Sequence, residues 1–119
     1  MIMTSNEKKY YAVTCKCGHT GSRKTYIPIT FPIRAYSGMQ AAAIGRTKPR
    51  CKHDHKDCVI SVKEVTRDEY KEICIRNAND PYLHCHSIQE QRLIDISDRL
   101  VADNHYYENQ RVRKERREG

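Results

Sequence analysis

The sequence contains no tryptophan and a single phenylalanine, so large apolar anchors for a core are few. No run approaches the roughly 20 consecutive apolar residues that a membrane-spanning helix needs. The first nine residues also lack the apolar stretch of a signal peptide. These absences argue against a membrane protein and a secreted one. We therefore expect a cytoplasmic protein with no membrane partner.

Cysteine and histidine are abundant instead, with six of each among 119 residues. A domain of this length is only marginally covered by its own core. A bound metal would add stability, because the energy of metal binding is also folding energy. Without a signal peptide, this combination of cysteine and histidine indicates metal binding rather than three disulfides.

Most of these residues fall in two clusters, one at 15–19 and one at 51–58. Zinc takes four tetrahedral ligands from thiolate and imidazole groups. The sequence therefore predicts one structural Zn²⁺ ion that joins the two clusters. The two cysteines of the first cluster form one pair of ligands, and we favour Cys51 with either Cys58 or His53 as the other. The candidate metal ligands are Cys15, Cys17, Cys51, His53, His55 and Cys58.

The first cluster, Cys15-Lys16-Cys17-Gly18-His19, resembles the knuckle of zinc ribbons. That knuckle reads Cys-x-x-Cys-Gly, and the present segment has one residue fewer between its cysteines. The resemblance implies a tight turn whose backbone amides face a metal-bound sulfur. Gly18 suits such a turn because glycine adopts a positive φ without steric cost.

Three strands are predicted, at about 9–14, 25–36 and 58–65. The middle strand shows strict alternation, which is typical of a strand with one buried face. Its two prolines cannot donate hydrogen bonds to a neighbouring strand, so they predict an edge strand or a bulge. The alternating apolar residues are Ile27, Ile29, Phe31, Ile33 and Ala35.

Three helices are predicted between and after these strands. Ser37 can cap a short helix at 38–47. The sequences Thr66-Arg67-Asp68-Glu69 and Ser87-Ile88-Gln89-Glu90 are capping boxes, which predict helices at 67–77 and 88–103. The whole indicates one α+β domain with a small antiparallel sheet, zinc-ribbon-like knuckles, a short helix and two C-terminal capped helices. We expect this domain to span 9–103, after a disordered N-terminus at 1–8 and before a basic tail or frayed helix at 104–119.

The net charge of +7 is unevenly distributed. Residues 1–63 carry +9, residues 64–110 carry −5 and residues 111–119 carry +3. Such an asymmetric field favours a polyanionic partner, because lysine and arginine neutralise phosphates and release counterions. We expect a non-enzymatic module that binds nucleic acid or a nucleoprotein. The candidate binding residues are Arg23, Lys24, Arg46, Lys48, Arg50, Lys52, Lys56, Arg111 and Arg113.

Two other functions remain open from the sequence. A phage or mobile-element inhibitor, which blocks a nucleic-acid-handling complex such as a CRISPR effector, would have the same composition and a single protein partner. A metal-dependent nuclease could use His53 or His55 beside Asp54 to activate water. The sequence shows only one such cluster and no nucleophile motif or phosphate loop. We therefore expect neither an enzyme nor a small-molecule substrate.

Overall fold

The computed structural model describes residues 7–18, 25–52, 57–85, 94 and 97–103. Its strands form one antiparallel sheet in the order β3–β1–β2–β4. The prediction of a small α+β fold built on an antiparallel sheet is confirmed. The elements are β1 (Lys9–Cys17), β2 (Thr25–Ala35), α1 (Gly38–Arg46), β3 (Val59–Val65), α2 (Arg67–Ala78), two 3-10 helices (Pro81–His84 and Ser97–Arg99) and β4 (Val101–Ala102).

One face of the sheet is buried, and it consists of the odd-numbered residues 11–17 of β1 and 27–35 of β2. The predicted alternation holds along β2, where every odd residue from 27 to 35 is buried. The register pairs Val13 with Phe31 and Cys15 with Ile29. Directly paired residues share a face of an antiparallel sheet. The apolar core is therefore continuous across both strands and ends at the cysteines of β1.

Strand β2 is an edge strand over most of its length within the described residues. Strand β4 pairs only with Thr25 and Tyr26, at the beginning of β2. Pro28 and Pro32 lie beyond that pairing. Their missing N–H groups cost no ladder hydrogen bond on the free side, so the predicted edge position is confirmed.

Helix α1 covers the buried face of the sheet. The Ser37 side chain accepts a hydrogen bond from the Gln40 backbone N–H at 3.1 Å, which caps the helix as predicted. Gly45 allows the end of the helix to approach β1 closely. A Cβ atom at this position would lie 2.7 Å from Val13 Cγ1 and 3.3 Å from Cys15 Sγ. The C-terminal turn of α1 therefore lies directly against the cysteines.

Helix α2 packs against β1 and β2 on the opposite face. Thr66 and Glu69 form the predicted capping box at its N-terminus. The ring of Tyr70 meets that of Tyr10 edge-on, with 4.9 Å between the centroids. Asn77 Nδ2 also donates to a backbone carbonyl of β2. No helix in the described ranges is long and apolar enough to cross a membrane.

The predicted helix over 88–103 is wrong at its C-terminal end. That part contains a 3-10 turn followed by β4, which pairs with β2. The next residue, Asp103, accepts a hydrogen bond from Lys16 Nζ at 3.0 Å. These long-range contacts outweigh the helical pattern of the local sequence. The capping box at 87–90, the first six residues and the tail at 104–119 lie outside the described residues.

The predicted tight turn at the first cysteine cluster is also wrong. Strand β1 continues through Cys17, which pairs with Ile27 of β2. Gly18 comes only after the strand, and its φ of 122° is positive as predicted. A strand places residues two apart on the same face, so a single residue between the cysteines sends both thiols toward the core.

Candidate metal centre: a cluster of four buried thiols

Four cysteines from three parts of the chain meet at one end of the buried face. We call Cys15, Cys17, Cys51 and Cys58 the four-thiol cluster. All four residues have 0% exposure to solvent. Cys17 and Cys51 form an isolated antiparallel bridge, and the Cys51 thiol is in hydrogen-bonding contact with the thiols of Cys15 and Cys58. The expectation that the two sequence clusters come together is therefore met for the cysteines.

Backbone hydrogen bonds hold the two clusters against each other. Lys16 N–H donates to the Cys58 carbonyl at 2.7 Å, and Lys52 N–H donates to the Lys16 carbonyl at 2.9 Å. Gly18 N–H donates to the Arg50 carbonyl at 3.3 Å. The thiols are thus brought together by main-chain pairing, and their meeting does not depend on the rotamer of any single side chain.

Burial keeps the thiols of Cys17, Cys51 and Cys58 protonated over the physiological range. Removal from water raises the pKa of Cys17 to about 12 and that of Cys58 to about 11, and the neighbouring Cys51 thiol adds to both. The hydrogen bond with Cys15, together with burial, raises the pKa of Cys51 further still. Thiolate, not thiol, ligates zinc. A metal at this place would therefore have to displace the protons.

Cations surround the cluster and partly oppose this effect. Arg46 lowers the pKa of both Cys51 and Cys58. Arg50 and Lys52 lower the pKa of Cys17. Positive charge at these positions would stabilise thiolates, whereas neutral thiols gain little from it.

The cluster offers the donors that structural zinc prefers, but its side chains do not stand in coordination geometry. Among the described residues, no group of three or more His, Cys, Asp or Glu side chains is arranged to hold a metal. All six cysteines are free of disulfides. Burial, ligand type and surrounding charge fit a four-thiolate zinc site. His53 and His55, the other candidate ligands, lie outside the described residues.

The predicted basic surface is only partly available for a ligand. Arg50 donates to the Cys85 carbonyl and its guanidinium lies 4.9 Å from the centroid of the Tyr82 ring. Lys52 Nζ donates to the Thr25 carbonyl at 2.8 Å. Lys48 lies over the Phe31 ring. Lys48 and Arg46, which lies beside the thiols, are both half-buried. The other five candidates, Arg23, Lys24, Lys56, Arg111 and Arg113, lie outside the described residues.

A buried ion cluster on the other face of β1 was not predicted. Lys16 Nζ donates to Asp57 at 2.6 Å and to Asp103 at 3.0 Å, and its side chain is only 5% exposed. Burial alone would lower the pKa of Lys16, but the two carboxylates outweigh it and the pKa is raised. This lysine ties the segment before Cys58 and the end of β4 to the sheet. Its position between two inward-facing cysteines on a strand is the only sequence signal for it.

Tyr82 is the second residue that the sequence did not reveal. It is 1% exposed, and its hydroxyl has no hydrogen-bond acceptor among the described residues. Burial raises the pKa of Tyr82, and its ionisable neighbours are Cys17, Arg50 and Arg99. The two arginines carry only donors. A buried hydroxyl proton without an acceptor costs about 1–3 kcal/mol. Among these three neighbours, only the Cys17 sulfur can accept a hydrogen bond.

Asp80 and Arg99 hold the segment that carries Tyr82. The Asp80 carboxylate accepts from the Tyr82 backbone N–H at 3.0 Å and from both terminal nitrogens of Arg99, at 2.8 and 2.7 Å. The hydrogen bond from Arg99 is the main reason that the pKa of Asp80 is lowered. The ion pair thus favours the ionised carboxylate in the folded protein.

We expect Asp80→Asn to destabilise the protein by roughly 1–2 kcal/mol at pH 7, since it removes a charged pair but keeps a good helix cap. A lowered pKa gives stability that is fully present above the unfolded value, about 3.9, and is lost as the pH falls through the lower pKa of the folded state. Urea unfolding of both proteins at pH 7 and pH 3 measures this. The gap between them should narrow at pH 3; an equal gap at both values would contradict the prediction.

Comparison of the chain with protein-family models, with curated proteins and with solved structures finds no match.

Proposed function

We propose that the protein is a small, non-enzymatic zinc-binding module that binds nucleic acid, RNA or DNA, through a basic segment beside the four-thiol cluster. The basic segment is residues 46–52, which carry four cations and no acidic residue. The observation that carries the proposal is the attachment of this segment to β1 by backbone hydrogen bonds on both sides of Cys51. A fixed segment loses less entropy on binding than a free loop.

Charge supports a nucleic acid as the partner. The chain has a net charge of +7, and residues 1–63 account for +9. Phosphate contacts with lysine and arginine supply most sequence-independent affinity for nucleic acid. Arg50 and Lys52 already hold backbone carbonyls of the protein. We therefore assign the direct phosphate contact first to Lys48, whose side chain is partly accessible.

Lys48→Gln is expected to weaken binding of a fluorescently labelled single-stranded RNA or DNA several-fold. The slope of log affinity against log salt should fall by about one unit, because one phosphate contact is lost. Fluorescence anisotropy between low and physiological salt measures both quantities. Lys71→Gln is the matched control, since Lys71 is an exposed lysine of α2 on the other side of the sheet. It should leave affinity and slope unchanged.

Three results would overturn the proposal. Absence of salt-dependent binding to single-stranded and duplex probes would remove the nucleic-acid partner. A single nuclease-resistant protein recovered from native lysate would point to an inhibitor of a nucleic-acid-handling complex. Degradation of the probe that depends on His53 or His55 would point to a nuclease.

A further inference from the structure

The four-thiol cluster has a buried neighbour, the Tyr82 hydroxyl, that would gain a hydrogen-bond acceptor if the sulfurs were ionised. We propose that Cys15, Cys17, Cys51 and Cys58 are the complete ligand set of one tetrahedral zinc ion, and that the Tyr82 hydroxyl donates a hydrogen bond to the Cys17 thiolate. This inference rests on the zinc-binding part of the proposed function and deepens it. It assigns the ligands, excludes His53 and His55, and adds a positioning residue outside the coordination sphere.

The number of thiols in the cluster matches the number of ligands in a structural zinc site. Structural zinc sites are closed by four protein ligands. The main chain already gathers four sulfurs, because β1 contributes two from one face and the bridge at Cys51 brings the third beside them. The carbonyl of Cys58 accepts from β1 and places the fourth. A histidine ligand would have to displace one of these buried cysteines.

The cations near the cluster match the negative charge that a four-thiolate zinc centre would have. Binding of Zn²⁺ by four thiols releases four protons to solvent and leaves a centre with a net charge of −2. Burying such a centre requires compensating cations. Arg50 and Lys52 flank Cys51 in the sequence, and their backbone groups are hydrogen-bonded to the residues on either side of Cys17. Arg46 is the last residue of α1, whose final turn packs against Cys15.

The buried hydroxyl of Tyr82 also supports the assignment. It has no hydrogen-bond acceptor among the described residues, and its arginine neighbours can only donate. A neutral thiol is a weak acceptor, but a thiolate is a strong one. Ionisation of Cys17 by the metal would therefore satisfy the Tyr82 hydroxyl. Groups that donate to a metal-bound ligand orient it and raise metal affinity.

Arg50 links the two parts of this arrangement. Its guanidinium lies over the Tyr82 ring and donates to the Cys85 carbonyl. Arg99 lies over the same ring, 5.7 Å from its centroid. The ring is therefore held by two cations and by the capped turn beginning at Asp80. Its hydroxyl is fixed in position before any metal binds.

Cobalt substitution tests the ligand set in the full-length protein. The absorption spectrum of Co²⁺ should be that of a four-thiolate site, and a His53→Ala/His55→Ala variant should give the same spectrum. A changed spectrum in that histidine variant would overturn the four-cysteine assignment. The unaltered protein and the histidine variant both keep all four thiols, so the result does not depend on whether a cysteine variant folds.

Tyr82→Phe tests the hydrogen bond. We expect competition with a chromophoric chelator to give a zinc affinity about 10–100-fold lower, with an unchanged cobalt spectrum. Equal affinity in both proteins would overturn the role of Tyr82. Phe removes only the hydroxyl, so the packing of the ring under Arg50 is preserved.

Thiol labelling provides a separate measurement on the unaltered protein. With zinc bound, an alkylating reagent should label Cys74 and spare the four cluster cysteines; a chelator should expose those four and leave labelling of Cys74 unchanged. If the chelator does not change which cysteines are labelled, the metal-site assignment is overturned. None of these readouts uses nucleic acid, so loss of RNA or DNA binding with an intact metal site would refute only the proposed partner.

Discussion

The double variant Cys15→Ser/Cys17→Ser is expected to lose most of its folding stability. A structural zinc ion contributes folding free energy outright, because the unfolded chain has no preformed site. A domain of this size is stable by only about 5–15 kcal/mol in total. Both cysteines are fully buried, so serine would also place two polar hydroxyls in the core. Thermal unfolding followed by circular dichroism should show a strongly lowered or absent transition.

Cys74→Ser is the matched control for this experiment. Cys74 lies half-buried on α2, away from the four-thiol cluster. Its replacement should change the melting temperature only slightly, and treatment of either this variant or the unaltered protein with a chelator should reproduce the loss seen in the double variant. A double variant that melts like the unaltered protein would contradict the metal account.

Lys16→Met is expected to destabilise the protein by about 3–5 kcal/mol, because it removes the cation that two carboxylates share in a buried ion cluster. Asp103 is fully buried at its side chain and Asp57 is 35% exposed. Methionine retains an apolar stem but loses the ammonium group, which lies over the Tyr26 ring, and it cannot neutralise either carboxylate. The end of β4 and the segment before Cys58 should both loosen from the sheet.

Urea unfolding gives the size of this effect, and Lys63→Met is its control. Lys63 is an exposed lysine of β3, the strand that pairs with β1. That variant should stay within about 0.5 kcal/mol of the unaltered protein, as surface substitutions usually do. Adding Asp103→Asn to Lys16→Met should restore part of the lost stability. A Lys16→Met protein as stable as its Lys63→Met counterpart would show that the ion cluster is not required.

Local patterns in the sequence predicted most of the regular structure. Alternation along 27–35 identified β2 and its buried face, because side chains of a strand alternate between faces. The capping box at Thr66 identified the beginning of α2, because it satisfies backbone donors that every helix leaves open. Both signals depend on neighbouring residues alone, and the structure confirms both.

Long-range contacts account for what the sequence did not predict. The segment ending at Asp103 has a helical pattern, but pairing with β2 and the bond to Lys16 place a strand there. The Cys-x-Cys segment resembles a turn, yet continued pairing with β2 makes it strand. Lys16 and Tyr82 carry no local signature of burial. The carboxylates that bind Lys16 lie 41 and 87 positions away in the chain, and the arginines over the Tyr82 ring come from two other segments. A single sequence does not bring these residues together.

The candidate site was predicted in part. Cysteine spacing indicated that the clusters at 15–19 and 51–58 would meet, and four of the six proposed ligands do lie together. The spacing alone could not show whether cysteine or histidine side chains would be the ligands, because that depends on which side chains face the core. Likewise, charge density along 46–52 predicted a binding surface without showing that Arg50 and Lys52 would bond to the protein's own carbonyls.

Metal content is the most direct test of the central claim. The protein should be purified under reducing conditions without added metal, dialysed, and analysed for zinc by mass spectrometry alongside its free thiols. The account predicts about one zinc ion per chain, as a closed four-ligand site requires, with four of the six thiols released to a thiol reagent only after chelation. A folded, cooperatively melting protein that contains no metal and keeps the same melting temperature in chelator would contradict it.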